Sequence, residues 1–475
     1  MMMAAETLVR LRAAAGAAGW SEDAAEIAPL LIDWRDKYKG ATPLLLKPNS
    51  VEAIAAIVRV CAETRTAIVP QGGNTGLVGG QTPSAQGNEV LLSLRRMNRV
   101  RNVDALGNTM TLEAGVVLAD AQEAANGAGR LFPLSLASEG SATIGGLIST
   151  NAGGTGVLAF GTMRELVLGL EAVLPDGRVW HGLSALRKDN TGYDLKQLFI
   201  GAEGTLGVVT AATLNLFAKP AAIETAFAAV PTVQAAVELL SSAQAHGGTV
   251  TAFELMPRIG LEFVLRHVPG TRDPLGAAHP WYVLIDISLK AGEATGVAAD
   301  VLVEAANKSL ILDGVVAQSQ AQARALWKLR EDLSGAQKPE GGSIKHDVSV
   351  PVSAIPAFIE RAGAAVATLV PGARPVPFGH IGDGNIHFNI SQPVGADTQA
   401  FLARWNEVSR AVRDIVVHDF NGSISAEHGV GQMKVDEIAR YKSAEAIDMM
   451  RSIKQALDPL NIMNPGKVVR VRPPV

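Results

Sequence analysis

The chain has 475 residues, with 42 lysines and arginines against 46 aspartates and glutamates and a net charge of −4. A single ordinary domain has roughly 100–200 residues, so we expect more than one core. The small charge imbalance argues against a nucleic-acid partner. Mean hydropathy is +0.19, but no stretch reaches the ~18 uninterrupted apolar residues of a membrane-spanning helix. We therefore expect no transmembrane segment.

The N-terminal segment 1–20 is rich in alanine and carries two arginines. We interpret it as a surface helix rather than an organellar transit peptide, and so expect a cytoplasmic protein. Residues 25–33 and 50–65 have helical patterns, and 66–70 is typical of a strand. The one cysteine, Cys61, lies in the second helical pattern, which predicts a small core residue and excludes an internal disulfide.

The 48 glycines are concentrated at 72–207 and 372–466. The first group begins with the loop Pro70–Gly80, which follows the strand at 66–70. It lacks the Gly-Lys-Ser/Thr ending of a P-loop, and its GxxGxxG spacing differs from the GxGxxG of a dinucleotide fold. Its successive N–H groups are suited to an anion such as a pyrophosphate, although a bare tight turn explains the loop equally well.

Two further segments of the same character follow. Residues 133–154 are rich in small and hydroxyl side chains, which allow a flat ligand to lie close to the backbone. Residues 201–210 form a third glycine-containing loop that continues into a strand. Short strands separated by turns predict an α+β unit here rather than a regular βαβ alternation.

These three segments, with 176–179, 191–195 and 199–207, resemble the FAD-binding domain of the vanillyl-alcohol oxidase and p-cresol methylhydroxylase (PCMH) superfamily. The resemblance implies a two-subdomain FAD-binding domain of PCMH type and non-covalent FAD, because covalent members attach the flavin through a His or Cys, and 70–80 and 133–154 contain neither. It implies FAD contacts from Gly72, Gly73, Asn74, Thr75, Gly76, Leu77, Ser138, Gly140, Thr143, Gly145, Gly146, Asn151, Gly154, Glu203, Gly204 and Val209.

The pattern changes at about residue 218. Helices are predicted at 233–246, 293–309, 317–334 and 355–368, a strand at 281–289, an extended segment at 343–350 and a hairpin at 374–390. The last helix is expected at 444–458. We expect an FAD-binding domain at 1–217, an α/β cap domain with an antiparallel sheet at 218–425, and a C-terminal segment at 426–475 that returns to the FAD domain.

Five of the nine histidines lie between His346 and His428, where an even spread would place fewer than two. His380 and His387 flank the turn 382–385, so we expect them to face each other across the hairpin, with Asn389 on the same side and Ile386, Phe388 and Ile390 on the apolar side. Two imidazoles and a carboxylate would form an open zinc-type site. The alternative is that both histidines are hydrogen-bonded framework residues.

The segments 379–387, 424–431 and 458–467 resemble the D-2-hydroxyglutarate and D-lactate dehydrogenase branch of these flavoproteins. That resemblance implies a divalent metal, expected to be zinc, bound by His380, His387 and Glu427. It implies His428 as the catalytic base, Asn389 and His428 in contact with substrate, and Asn464 beside the flavin.

Arg330 and Ser334 are four residues apart on the predicted helix 317–334, and Lys345 follows on the extended segment. In the resembled dehydrogenases an Arg, a Thr and a Lys at these spacings hold the substrate carboxylate, so Ser334 departs from Thr but retains the hydroxyl. A solvated helix face is the alternative interpretation of Arg330.

The resulting hypothesis is an FAD-dependent, metal-assisted dehydrogenase of a D-2-hydroxy acid, first D-2-hydroxyglutarate, then D-lactate or D-malate. Its electron acceptor would be an electron-transferring flavoprotein, a cytochrome or a quinone, and a homodimer is compatible with it. One alternative is the flavin subunit of a multi-subunit glycolate or D-lactate oxidase. Another is a metal-dependent hydrolase that uses His380, His387 and Glu427.

Overall fold

The computed structural model describes residues 3–471 and divides the chain into two compact units. The first unit contains the residues up to Gly154, then Gly161–Ala218, and the chain from Glu427 onward. The second contains Thr155–Phe160 and Lys219–Ala426. Both units combine helices with sheets, so the predicted α+β class is confirmed. No sequence signal marked the short segment 155–160 as part of the second unit.

The first unit contains two main sheets. The smaller has the order 20–21, 45–46, 89–93, 67–71, and its last three strands are parallel. The larger is antiparallel, with the order 100–104, 109–113, 208–215, 167–173, 179–182. A short pair joins 130–131 to 217–218. The helices of this unit are Ala5–Ala15, Ala24–Ile27, Val51–Thr64, Leu118–Gly127, Ile144–Thr150, Met163–Leu166, Lys196–Phe199, Val435–Tyr441 and Ala444–Leu457.

The helix Val51–Thr64 shows how local signals set these elements. It begins where the Ser50 hydroxyl accepts a hydrogen bond from the Ala53 N–H at 3.2 Å, and it ends at Arg65 in the left-handed conformation. Cys61 lies on its buried face, as predicted, and burial raises the pKa of the thiol to about 12. This cysteine is therefore a core residue and not a nucleophile.

A buried lysine fixes the C-terminal helix Ala444–Leu457 within the first unit. The Lys454 ammonium donates to the Thr205 carbonyl at 2.7 Å and to the Met463 carbonyl at 2.8 Å, and it pairs with Asp458. Because an unpaired buried charge is costly, these three acceptors fix where the last segment runs. They join the loop after Gly204 to the chain that carries Asn464.

The second unit contains an antiparallel sheet with the order 249–257, 281–289, 222–230, 313–316. A second sheet is built on 385–391, which pairs with 343–344, 348–349 and 374–378. The helices are Val157–Phe160, Val233–Gln244, Arg258–His267, Val297–Asn307, Gln320–Glu331, Leu333–Ala336, Ile355–Leu369, Thr398–Ala403 and Trp405–Asp414.

One helical stretch of the described chain, Val352–Leu369, is long and apolar enough to cross a bilayer by length and composition. Its buried residues Ile355, Phe358, Ile359, Ala362 and Val366 lie on one face. They belong to the main core cluster of the second unit, which is the pattern of an amphipathic core helix. That no segment spans a membrane stays a prediction.

Candidate functional site

The first glycine loop follows the strand Ala67–Gln71 directly. Within the described residues 3–471, no backbone N–H of residues 72–80 donates to a main-chain carbonyl. Asn74, with φ of +60°, shapes the loop, because its amide donates to the Ile32 carbonyl at 3.0 Å and accepts from Gln81 at 3.1 Å. The loop therefore presents a run of unused N–H donors, which is what an anionic pyrophosphate requires.

The second predicted segment lies directly against this loop. A Cβ atom on Gly73 would be 1.9 Å from the Ser141 carbonyl oxygen, and one on Gly72 would be 2.1 Å from Thr143 Oγ1. Only glycine permits that approach. The hydroxyl oxygen of Thr143 is buried without a hydrogen-bond partner in the described chain, so this junction retains a polar atom for a ligand.

The third segment meets the C-terminal segment through Glu203 and Asn464. The Asn464 amide donates to the Gly80 carbonyl at 2.9 Å and to the Glu203 carbonyl at 2.7 Å. Asn464 Oδ1 is buried without a partner among residues 3–471. Asn464 therefore joins the first and third glycine loops and leaves one acceptor for a ligand. The three glycine loops and Asn464, which we call the cradle, thus fit a bound cofactor.

The Glu203 carboxylate is buried and accepts hydrogen bonds from the N–H groups of Val430, at 2.7 Å, and Gly431, at 2.9 Å. Burial raises its pKa to about 7, although those two hydrogen bonds and Lys434 act in the opposite direction. The Glu203 side chain thus holds residues 430–431, which lie in the C-terminal part of the first unit, against the third glycine loop.

The other predicted flavin residues are all in the first unit. The Asn151 side chain has a framework role, since it accepts from the Arg164 N–H at 2.9 Å and from Thr162 at 3.0 Å. Gly145 packs closely on Ala114, and Val209 lies in the buried strand Val208–Asn215. Placed with them are Thr75, Gly76, Leu77, Ser138, Gly140, Gly146, Gly154 and Gly204.

In the second unit, the predicted hairpin is present as strands Arg374–Phe378 and Asn385–Ser391, but the expected pairing of its histidines is wrong. Phe378, not His380, lies opposite His387. The strand ends early because Gly379 bridges to Leu255 of another sheet, which leaves His380 in the connection. The two rings still approach, with centroids 5.7 Å apart and planes at 76°.

His380 and Arg330 share one buried carboxylate, that of Glu254, which is fully buried. His380 Nδ1 is 2.6 Å from Glu254 Oε1, and Arg330 Nε is 2.7 Å from Glu254 Oε2. Burial alone would raise the pKa of Glu254, but the charges and hydrogen bonds of His380 and Arg330 lower it to about 2. The carboxylate is therefore ionised at neutral pH.

Glu254 was not among the predicted site residues. The available signal is a single acidic residue within the apolar strand Thr249–Pro257, since a charge in such a position needs a buried partner.

The predicted helix 317–334 ends early, so Arg330 and Ser334 do not share it. The helix is Gln320–Glu331, and Ser334 lies in the next helix, Leu333–Ala336. Arg330 is 8% exposed, which excludes the solvated helix face. Lys345 Nζ lies 3.4 Å from the Ser334 carbonyl and 3.5 Å from its hydroxyl, so these two residues are neighbours through space.

The remaining predicted residues divide into framework and site groups. His346 is a framework histidine, because its buried ring bonds the Phe388 carbonyl at 2.8 Å and Ser409 at 3.0 Å. The His418 side chain is largely exposed. Asn389 is buried on the strand of His387, and Ile386, Phe388 and Ile390 are buried as predicted. Glu427 and His428, both half-buried, begin the returning segment of the first unit.

Two family models match the chain. The FAD-binding domain covers residues 42–182, and the C-terminal domain of FAD-linked oxidases covers 219–468. A protein named D-2-hydroxyglutarate dehydrogenase from Xanthomonas citri pv. viticola is 38% identical over 438 residues, or 92% of this chain and 91% of that protein. A mitochondrial D-2-hydroxyglutarate dehydrogenase from Arabidopsis thaliana is 37% identical, over 94% and 78% of the two chains.

A solved structure of p-cresol methylhydroxylase matches with a TM-score of 0.74 over 97% of this chain and 96% of that one, at 16% identity, which shows a shared fold. The fold and the glycine-loop cradle define an FAD-binding flavoprotein. The chain belongs to the FAD-linked oxidase family, within the group of its D-2-hydroxyglutarate dehydrogenase relatives. The family resemblance predicted from the sequence is therefore confirmed.

The close approach of Gly73 to Ser141 predicts a flavin-retention defect in Gly73→Ala. The added methyl forces the loop away from the Ser141 carbonyl, and overpacking of this kind costs about 1–3 kcal/mol. We expect FAD affinity to fall about tenfold or more, measured as flavin absorbance per chain after gel filtration. Gly127→Ala is the control, because a Cβ there has no atom within 4 Å. Equal flavin content in the two variants would contradict the prediction.

The raised pKa of Glu203 predicts a pH-dependent stability cost. The folded state favours the protonated form, so stability is full below pH ~4.5, falls as the pH rises to about 7, and is constant above. Glu203→Gln should abolish this decline, a difference of about 3 kcal/mol between pH 4.5 and 8. Urea unfolding of FAD-saturated protein across that range measures it. Glu123→Gln, at an exposed position, should parallel the wild type; a parallel Glu203→Gln curve would refute the assignment.

Proposed function

We propose that the chain is an FAD-dependent dehydrogenase that oxidises a D-2-hydroxy acid to the 2-oxo acid, with D-2-hydroxyglutarate as the first candidate and D-lactate or D-malate next. The observation that carries the proposal is the second-unit cluster, in which the Glu254 carboxylate holds the His380 imidazole and the Arg330 guanidinium together. Oxidation of a 2-hydroxy acid requires that its hydroxyl be deprotonated and that its carboxylate be bound. The names of the relatives support the same substrate class.

FAD would be held non-covalently by the three glycine loops and Asn464. The unused N–H groups of residues 72–80 would bind the pyrophosphate, and Thr143 and Asn464 would use their unpaired oxygens. Neither 70–80 nor 133–154 contains a His or Cys to form a covalent link. Acid precipitation should therefore leave the flavin in the supernatant.

His380, His387 and Glu427 would hold a divalent metal, which we expect to be zinc. Each offers one ligand atom of the type that zinc prefers, two ring nitrogens and one carboxylate oxygen. Glu427 follows Ala426, the last residue of the second unit, by one peptide bond. Three protein ligands would leave a coordination position open to substrate.

When bound, FAD accepts two electrons as a hydride and a divalent cation lowers the pKa of a coordinated hydroxyl. His428 would remove the hydroxyl proton of the substrate, a step suited to an imidazole near neutral pH. The guanidinium of Arg330 and the ammonium of Lys345 would bind the substrate carboxylate, with Ser334 beside Lys345 and Asn389 beside His387. Together these contacts would fix which face of the α-carbon is oxidised.

The acceptor, the oligomer and the compartment stay predictions. We propose an electron-transferring flavoprotein, a cytochrome or a quinone as acceptor, a homodimer as the assembly and the cytoplasm as the location. The name of the Arabidopsis relative places that protein in mitochondria, whereas the name of the Xanthomonas relative gives no compartment.

A dye-linked assay tests the substrate class. Purified chain with an artificial acceptor should oxidise D-2-hydroxyglutarate faster than D-lactate, D-malate or glycolate, and L-isomers should be inert. Preincubation with a chelator should abolish turnover, and added zinc should restore it. Activity of the chain alone would also separate a complete dehydrogenase from the flavin subunit of a larger oxidase. A flavin that no 2-hydroxy acid bleaches would refute the proposal.

Substitutions at the proposed base and metal ligand should separate their roles. His428→Asn should lower kcat about 10²–10⁴-fold with bound metal unchanged, since a general base contributes that much. His387→Ala should lose both metal and turnover while retaining yellow flavin. His418→Asn, at an exposed histidine, is the control. Metal content per chain, flavin absorbance and turnover are measured for all three, and full activity of metal-free His387→Ala would exclude the metal role.

A further inference from the structure

Glu254 lies in the middle of the strand Thr249–Pro257, between core residues Phe253 and Leu255, and none of it is exposed. An ionised carboxylate in that position is strongly destabilising unless each oxygen has a donor. Both oxygens do, because Oε1 bonds His380 and Oε2 bonds Arg330. The two partners are 126 and 76 residues away along the chain, so the contact joins three separate elements.

The first consequence concerns the tautomer of His380. An ionised carboxylate can only accept hydrogen bonds, so Nδ1 of His380 must carry the proton at 2.6 Å from Glu254. In the neutral ring, Nε2 is then the nitrogen with which His380 would bind a metal. A carboxylate behind a metal-binding histidine fixes the ring orientation and raises the basicity of the ligand.

The second consequence concerns the orientation of Arg330. Glu254 engages Nε, and the guanidinium carbon lies 4.9 Å from the Phe378 ring centroid. This leaves the two terminal nitrogens as the paired donors that a carboxylate binds best. The helix that carries Arg330 is fixed independently, because the Trp327 indole donates to Asp286 at 3.0 Å. Glu254 therefore orients the side chain of Arg330 without being the main anchor of its helix.

We propose that Glu254 is a positioning residue that couples the two halves of the substrate site, setting His380 for the metal and Arg330 for the substrate carboxylate. The inference rests on the proposed function, since it assigns Glu254 to that same site. A single fixed carboxylate then determines the spacing between metal and guanidinium, and with it the spacing between hydroxyl and carboxylate that the enzyme accepts.

Glu254→Gln is the decisive variant, because glutamine offers one acceptor and one donor where two donors must be satisfied. Glu340→Gln is the matched control. Glu340 also bridges a histidine and arginines, with His267 at 2.7 Å and Arg266 and Arg374 at 2.6 Å, and its side chain is 9% exposed. Both variants thus remove one charge from a His–carboxylate–Arg bridge in the same unit, but only one bridge contains proposed site residues.

We expect Glu254→Gln to bind zinc about 10–100-fold more weakly than wild type in chelator competition, an assay that needs no turnover. With zinc in excess, kcat should recover to within about threefold, whereas KM for the hydroxy acid should stay raised about tenfold. Glu340→Gln should retain wild-type zinc affinity and KM, even with a lowered thermal midpoint. A purely structural role of Glu254 would not produce this split between kcat and KM.

The inference is overturned if Glu254→Gln matches Glu340→Gln in zinc affinity and KM, or if wild-type chain binds no zinc. If wild type binds zinc but oxidises no 2-hydroxy acid, the proposed function fails while the zinc titration still tests Glu254. Should Glu254→Gln not fold, Glu254→Asp retains the charge but is one methylene too short to reach both partners. It should show the same weakened zinc binding, and unchanged affinity would overturn the inference.

Discussion

A charged carboxylate buried on a β-strand requires that hydrogen-bond donors be brought to it, and in the second unit that requirement organises the proposed site. Glu254 lies on one strand, Arg330 on the helix Gln320–Glu331, and His380 in the hairpin connection. The carboxylate can be buried only if all three elements are in place. The burial of Glu254 therefore constrains both the fold of this unit and the geometry of its polar cluster.

In the first unit, backbone groups rather than charged side chains form most of the candidate cofactor site. Its cradle consists of unused N–H groups, two orphaned oxygens and glycines that allow loops to touch. Such a surface would bind a large planar cofactor through many weak contacts, while the redox chemistry is the cofactor's own. In our proposal, the second unit supplies the cations Arg330 and Lys345 and the imidazoles of His380 and His387 for the hydroxy acid and its metal.

Local signals in the sequence were sufficient for most elements and insufficient for the polar cluster. The strand Trp281–Leu289 was predicted residue for residue, because a long apolar run between turn signals determines its ends. The expected cross-strand pairing of His380 with His387 was wrong, although their rings approach, because Gly379 pairs with Leu255 on a strand far away in sequence. Glu254 was missed for the same reason, because its partners lie 126 and 76 residues away and no local pattern connects them.

The route of the chain also determines the order in which the cofactor cradle can be made. The Glu203 carboxylate accepts hydrogen bonds from the N–H groups of Val430 and Gly431. Asn464 and Lys454 connect the first and third glycine loops to the last helix and the segment that follows it. These residues are synthesised only after the whole second unit. A nascent chain therefore cannot complete this cradle before its second unit has been synthesised. In our proposal, FAD binding would then depend on Val430, Gly431 and Asn464 as well as on the glycine loops.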